Sequence, residues 1–152
     1  MKHVLLAFVL ALGTMSCSKK EAVDPITANS NTGSYKLDGR LVNCTAKATT
    51  NNPSGGTVEY LYIVLTATPQ PATGAESLSL SYSKPRGQAN SAYSSSDIIL
   101  FRNQQQPLIF TRLTTGVLTN NAGGFSGEFT TSSSPSQSAT KITEGVFTDV
   151  RP

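Results

Sequence analysis

The fold is decided by residues 57–83, TVEYLYIVLTATPQPATGAESLSLSYS. The first half alternates between two faces, of which one is purely aliphatic and carries Leu61, Ile63, Leu65 and Ala67. Prolines and a glycine break the pattern at 69–74, and leucine or tyrosine then alternates with serine from 77 to 83. A period of two residues is typical of strands with one buried and one wet face. The stretch therefore predicts two neighbouring antiparallel strands.

The same alternation recurs on both sides of this pair, separated by turn residues such as Asp38-Gly39 and a polar loop over 84–96. Gly145 lies inside the last strand pattern and predicts a bulge. Residues 98–101 and 108–110 are apolar on both faces, which predicts a central position in the sheet. The whole pattern gives eight or nine strands and favours an all-β fold, an antiparallel β-sandwich of about eight strands. A small closed β-barrel is the alternative.

Charged residues make up only 14% of the chain, which is below the usual ~25%. Serine, threonine, glycine and asparagine replace them, as suits strands and turns. Without Lys2, which lies in the leader described next, 11 basic residues face 9 acidic ones, a net charge of +2. This balance gives no support to nucleic acid as a partner.

The N-terminus has the pattern of a secretory leader. A positive Met-Lys-His start precedes an apolar run over 4–12, too short for the ~20 residues that span a bilayer. Thr14-Met-Ser-Cys17 follows and is similar to a lipobox, in which the cysteine takes a lipid and becomes the new N-terminus. Thr14 departs from the usual aliphatic residue, so an ordinary signal peptide or an uncleaved anchor stays open. We predict lipidation at Cys17.

Three segments follow from this assignment. Residues 1–16 are the lipoprotein signal peptide, residues 17–33 are the lipidated cysteine and a flexible polar tether, and residues 34–152 are the all-β domain. The expected location is the outer membrane, on either its periplasmic face or the cell surface. The membrane is then a partner through the N-terminal lipid.

Three short motifs lie in the strand-rich part: YKLDG at 35–39, GGFSGEF at 123–129 and ITEGVF at 142–147. Their order resembles small lipoproteins of Bacteroidota that carry a single β-sandwich-like domain. The resemblance covers most of residues 34–151 and implies no activity and no functional residues.

The residue types argue against catalysis. His3 is the only histidine, and it leaves with the leader. A Ser-His-Asp triad, a Cys-His dyad and an imidazole zinc site are thereby excluded from the mature domain. We expect no enzyme, no metal and no cofactor. The carboxylates that could form a glycosidase-type pair are scattered, and we expect them to be solvated: Glu59, Glu76, Asp97, Glu128, Glu144 and Asp149.

The sequence also predicts the positions of five other side chains. Cys44 alternates with apolar neighbours and is expected to be buried and unpaired. Tyr60 and Tyr62 share the less aliphatic face of their strand and are possible ligand-binding residues, because exposed tyrosines can stack on sugar rings. Arg102 and Arg112 are expected to cap strand ends rather than clamp an anion.

The sequence favours a lipid-anchored envelope protein with a non-enzymatic binding or structural domain, whose partner is an envelope protein or a polysaccharide. The alternatives are a glycan-binding accessory lipoprotein, a carboxylate-based hydrolase and a small-molecule carrier.

Overall fold

The computed structural model describes residues 30–72, 74–103, 105–110, 117–119, 123–131 and 139–152, and the predicted leader, Cys17 and Arg112 lie outside these ranges. The described chain forms nine strands and one short 3-10 helix, Asn90–Ala92. The strands are β1 (Thr32–Leu37), β2 (Arg40–Asn51), β3 (Val58–Ala67), β4 (Glu76–Pro85), β5 (Ser94–Arg102), β6 (Leu108–Phe110), β7 (Val117–Thr119), β8 (Phe125–Phe129) and β9 (Ile142–Val150). The all-β class is confirmed, and β1 already includes the last two residues of the segment assigned to the tether.

All nine strands belong to one sheet in the order β6-β5-β4-β3-β2-β1-β9-β8-β7. Every neighbouring pair is antiparallel. The first and last strands pair in the middle, and β6 and β7 are the edges. Strand direction alternates across the nine strands, so the two edge strands β6 and β7 run parallel to each other. A simple hairpin therefore cannot join them.

The sheet is strongly curled into a half-barrel. Tyr82 on β4 packs edge-on against Phe147 on β9, with ring centroids 6.4 Å apart. In a flat sheet these strands, four positions apart, would be separated by ~19 Å. Rings and aliphatic side chains from all around the curl therefore share one core, whose largest fully buried members are Tyr35, Tyr82, Phe110, Phe129, Phe147, Leu61, Ile63, Leu65, Leu78, Leu80, Ile98 and Leu100.

The predicted central position of the β5–β6 pair is wrong, because β6 is an edge strand. Ile98 and Leu100 point inward and are buried, whereas Phe101 and Ile109 are 43% and 52% exposed on the outside. The apolar residues on the second face thus form a surface patch instead of packing against another layer.

The bulge predicted at Gly145 is confirmed. The register between β1 and β9 slips between Ser34 and Lys36, where Glu144 and Gly145 stand opposite one residue of β1. Glu144 takes a positive φ of 49° there. The bulge turns Gly145 towards the core, against the ring of Phe129.

Within the described ranges, no helix combines the length and the apolar character that a bilayer crossing requires.

Candidate functional site

Tyr60 and Tyr62 lie side by side on the outer face of β3. Both are half-buried, because Leu61 and Ile63 between and beyond them point into the core. The two rings are nearly parallel, with an interplanar angle of 14° and centroids 6.4 Å apart. The alternation of the strand therefore produces a pair of partly exposed aromatic rings.

A column of serines on β4 runs beside this pair. The outward side chains of β4 are Ser77, Ser79, Ser81 and Ser83, all half-buried. Tyr62 pairs with Ser81 and Tyr60 with Ser83 in the register of β3 and β4. These small side chains stand next to the tyrosine rings on the outer face of the sheet.

Strand β5 lies on the other side of the serine column. Ile99 and Phe101 stand beyond Ser79 and Ser77 in the register of β4 and β5. Strands β3 and β5 are two strand spacings apart, about 10 Å, and Ile99 and Phe101 are displaced along the strands from the level of the two tyrosines. We call the surface formed by Tyr60, Tyr62, the four serines, Ile99 and Phe101 the tyrosine–serine face. It offers apolar ring surface and hydroxyl groups together, which suits a carbohydrate.

Two other tyrosines do not join this face. Tyr82 is buried in the core, and Tyr93, directly after the 3-10 helix, is buried with its ring centroid 6.1 Å from that of Phe125. Burial raises the pKa of both hydroxyl groups above the ordinary value. Tyr82 and Tyr93 therefore serve the core and cannot contact a ligand on the outside.

The candidate carboxylates have different environments. Glu128 and Glu144 line one shallow depression of about 440 Å³, but Glu144 is exposed and paired with Lys36 at 2.7 Å. Asp149 pairs with Arg151 at 3.2 Å. Among the described residues, His, Cys, Asp and Glu side chains nowhere gather in groups of three that could hold a metal ion.

Glu76 is buried, so its predicted solvation is wrong. Its side chain, only 6% exposed, accepts the Tyr35 hydroxyl at 3.1 Å and the Arg40 Nη2 at 3.0 and 3.1 Å. Arg102 stands nearby, with its Nε 3.8 Å from the carboxylate. Burial first, and the charge of Glu76 second, raise the pKa of the Tyr35 hydroxyl. A cluster of two arginines around one buried carboxylate thus closes one end of the curled sheet.

Lys84 is also buried, although the sequence placed it at the start of a polar loop. It pairs with Glu59 at 2.5 Å, donates to the Gln88 carbonyl at 2.6 Å and lies 5.2 Å from the ring centroid of Tyr93. The hydrogen bond from Lys84 holds the pKa of Glu59 below its usual range. Lys84 closes the opposite end of the sheet.

The sequence signal for both buried charges is their position in the alternating pattern of the strand. Glu76 and Lys84 lie in phase with Leu78, Leu80 and Tyr82, the inward face of β4. Extending the alternation by one step at each end would have placed both charges inside.

Cys44 is buried and unpaired, as predicted. Burial, and secondarily the charge of Glu76, raise the pKa of its thiol to about 12. The thiol is therefore protonated and inert at neutral pH.

Comparison with known proteins finds no matching family model, no matching curated protein and no matching solved structure.

Proposed function

We propose that this chain is a lipid-anchored envelope protein, related to the Bacteroidota-type lipoproteins that its motifs resemble, and that its domain binds a polysaccharide without catalysing a reaction. The single observation that supports the ligand is the near-parallel, half-exposed ring pair of Tyr60 and Tyr62 beside a column of serines. Ring faces stack on the apolar side of a sugar, and hydroxyl groups bond to its edges.

The proposed anchor is Cys17, at the outer membrane. Fourteen residues, 18–31, separate it from the first residue of β1, Thr32. As a flexible chain they would reach ~20 Å, enough to hold the domain just above the head groups. Replacing Cys17 with alanine should release the protein from the membrane fraction and abolish labelling with radioactive palmitate. Retention of both in Cys17→Ala would contradict the anchor.

We also propose that the half-barrel is a variant of a β-sandwich. The facing of Tyr82 on β4 and Phe147 on β9 across the core supports two opposed layers within one sheet.

Polysaccharide binding can be measured by electrophoresis of the protein through gels that contain envelope polysaccharides. The double variant Tyr60→Ala/Tyr62→Ala should bind at least about tenfold more weakly, since each stacked ring contributes about 1 kcal/mol. Val64→Ala is the matched control, because Val64 occupies the same face of β3 and is also half-buried.

Tyrosine fluorescence provides a second readout because the chain has no tryptophan. Of its five tyrosines, only Tyr60 and Tyr62 are not buried, so a bound sugar should change the signal of these two. Unchanged binding in the folded double variant would refute the assignment of the tyrosine–serine face.

An envelope protein is the second candidate partner. The open edge strand β6, with Ile109 exposed beside Phe101, favours addition of a partner strand. Ile109→Lys should then abolish cross-linking to the partner while leaving polysaccharide binding unchanged.

A further inference from the structure

A cavity of about 410 Å³ lies at the end of the sheet that the arginines close. Its lining residues are Leu37, Asp38, Arg40, Glu76, Arg102 and Gln105. They come from the end of β1, the β1–β2 turn, the starts of β2 and β4, the end of β5 and the β5–β6 connection. This cavity is separate from the tyrosine–serine face, because Glu76 points to the inside of the sheet.

Glu76 is already satisfied by two partners. Arg40 bonds to both of its oxygens and the Tyr35 hydroxyl bonds to one of them, all at 3.0 to 3.1 Å. The backbone N–H of Glu76 is held by the side-chain oxygen of Gln70 at 2.9 Å, which fixes the start of β4. The carboxylate is therefore committed to Arg40 and Tyr35.

Arg102 is paired less closely with Glu76 than Arg40 is, at 3.8 Å against 3.0 Å. Its Nε is buried, lies 3.8 Å from Glu76 and has no hydrogen-bond acceptor among the described residues. The side chain as a whole is 31% exposed, so the guanidinium can be reached from the cavity. A buried donor without an acceptor is costly, and a guanidinium fork fits a carboxylate or phosphate with parallel N–H bonds.

The charges also favour an anion of limited charge. Arg40, Arg102 and Glu76 together carry a net charge of +1, which the carboxylate of Asp38 reduces to zero for the lining as a whole. Asp38 is exposed at the rim, and one of its oxygens accepts the backbone N–H of Lys141 at 2.7 Å. A singly charged group at Arg102 is therefore favoured, because Glu76 and Asp38 would repel a more highly charged one.

We propose that this cavity binds a singly charged oxyanion, either a carboxylate or a phosphodiester, through Arg102, while Glu76 stays bound to Arg40 and Tyr35. A carboxylate would come from an acidic sugar, and a phosphodiester from a lipid head group. The site does not depend on the tyrosine–serine face.

The test is thermal unfolding of the full-length chain, purified from membranes in neutral detergent, with sodium glucuronate or sodium dimethyl phosphate as the probe. Sodium chloride at equal ionic strength provides the baseline. We expect a rise in Tm of about 3 °C or more with at least one probe, because a ligand bound only to the folded state stabilises it. The probe with the larger effect identifies the source of the group.

Variants test whether the rise in Tm depends on Arg102. Arg102→Gln should abolish the rise, and Arg102→Lys, which keeps the charge but loses the planar fork, should remove most of it. Arg86→Gln is the matched control, because Arg86 is an exposed arginine that donates to the Pro53 carbonyl at 2.6 Å. The Tyr60→Ala/Tyr62→Ala variant should keep the full rise, so failure of polysaccharide binding and failure of this site are distinguishable.

Three results would overturn the proposal. They are the absence of any rise with both probes, an equal rise in Arg102→Gln, and an equal loss in Arg86→Gln, which would mean that the effect is a general response to ions.

Discussion

Replacing Gly145 with alanine should strongly destabilise the domain. A Cβ built at this position would lie 2.3, 2.4 and 2.5 Å from three ring carbons of Phe129. Carbon atoms in contact normally stand about 3.5–4.0 Å apart, so the ring would have to move by about 1 Å.

The ring of Phe129 has little freedom to move. It is 2% exposed, and its centroid lies 6.4 Å from that of Phe147, which packs in turn on Tyr82. Overpacking of a filled core costs typically 1–3 kcal/mol, and the displaced row of three rings places Gly145→Ala at about 2–3 kcal/mol. The corresponding fall in Tm is roughly 6–12 °C.

Urea unfolding followed by circular dichroism measures this cost. A second substitution, Phe129→Leu, should partly restore stability in the Gly145→Ala background, although alone it removes ring contacts and destabilises. The losses in free energy of unfolding of the two single variants should then add up to at least about 1 kcal/mol more than the loss measured for the double variant. A Gly145→Ala variant within about 0.5 kcal/mol of the wild type, or costs that simply add, would show that Phe129 does not restrict this position.

Three further outcomes are expected. Burial raises the pKa of Tyr35 and Tyr82 and brings that of Cys44 to about 12, so these groups stay protonated in the folded chain while the unfolded chain ionises. The contribution of these groups to the free energy of unfolding is complete below about pH 8.5. Above that pH it falls by up to about 1.4 kcal/mol per group and pH unit. A urea unfolding midpoint that stays the same between pH 8 and 11 would be inconsistent with this. A thiol reagent should label Cys44 slowly in the native protein and quickly in urea, and fast native labelling would place it on the wrong face of β2. Glu76→Gln should cost about 2–3 kcal/mol in urea unfolding, against less than about 1 for the exposed Glu144→Gln, because only Glu76 is itself buried and accepts from both Arg40 and Tyr35. Equal costs would mean that the Glu76 cluster contributes no more than a surface pair.

Much of the strand pattern could be read from the sequence, because the alternation along a strand is a local property. It placed Cys44 inside, and it placed Tyr60 and Tyr62 on the less buried face of β3. The bulge at Gly145 was equally local, since a glycine inside a strand has few other uses.

The order of the strands could not be read in this way. The pairing of β1 with β9 joins residues more than a hundred positions apart, and alternation carries no information about partners. The same ambiguity affected residues 98–101, where two apolar faces fit either a central strand or an edge strand with a surface patch.

The arginine cluster was missed for a different reason. A glutamate or lysine is usually exposed, and this average was applied to Glu76 and Lys84 in spite of their inward phase. Each is buried and paired with a side chain of opposite charge, Arg40 for Glu76 and Glu59 for Lys84. The partners come from other strands, so the compensation becomes visible only in three dimensions.

The pairing of β1 with β9 also determines which end of the sheet lies next to the start of β1. The backbone N–H of Asn31 donates to the Asp149 carbonyl, and the backbone N–H of Arg151 donates to the Asn31 side-chain oxygen. The start of β1 and the end of β9 therefore lie at the same end of the sheet. Strand β1 then leads away to Leu37, at the end of the sheet where Arg102 lies. If the chain is anchored through Cys17 as proposed, the end of the sheet with Arg102 would face away from the bilayer. Circular permutation that reconnects the adjoining ends and opens the turn at Gly39 would turn the head upside down without altering its core.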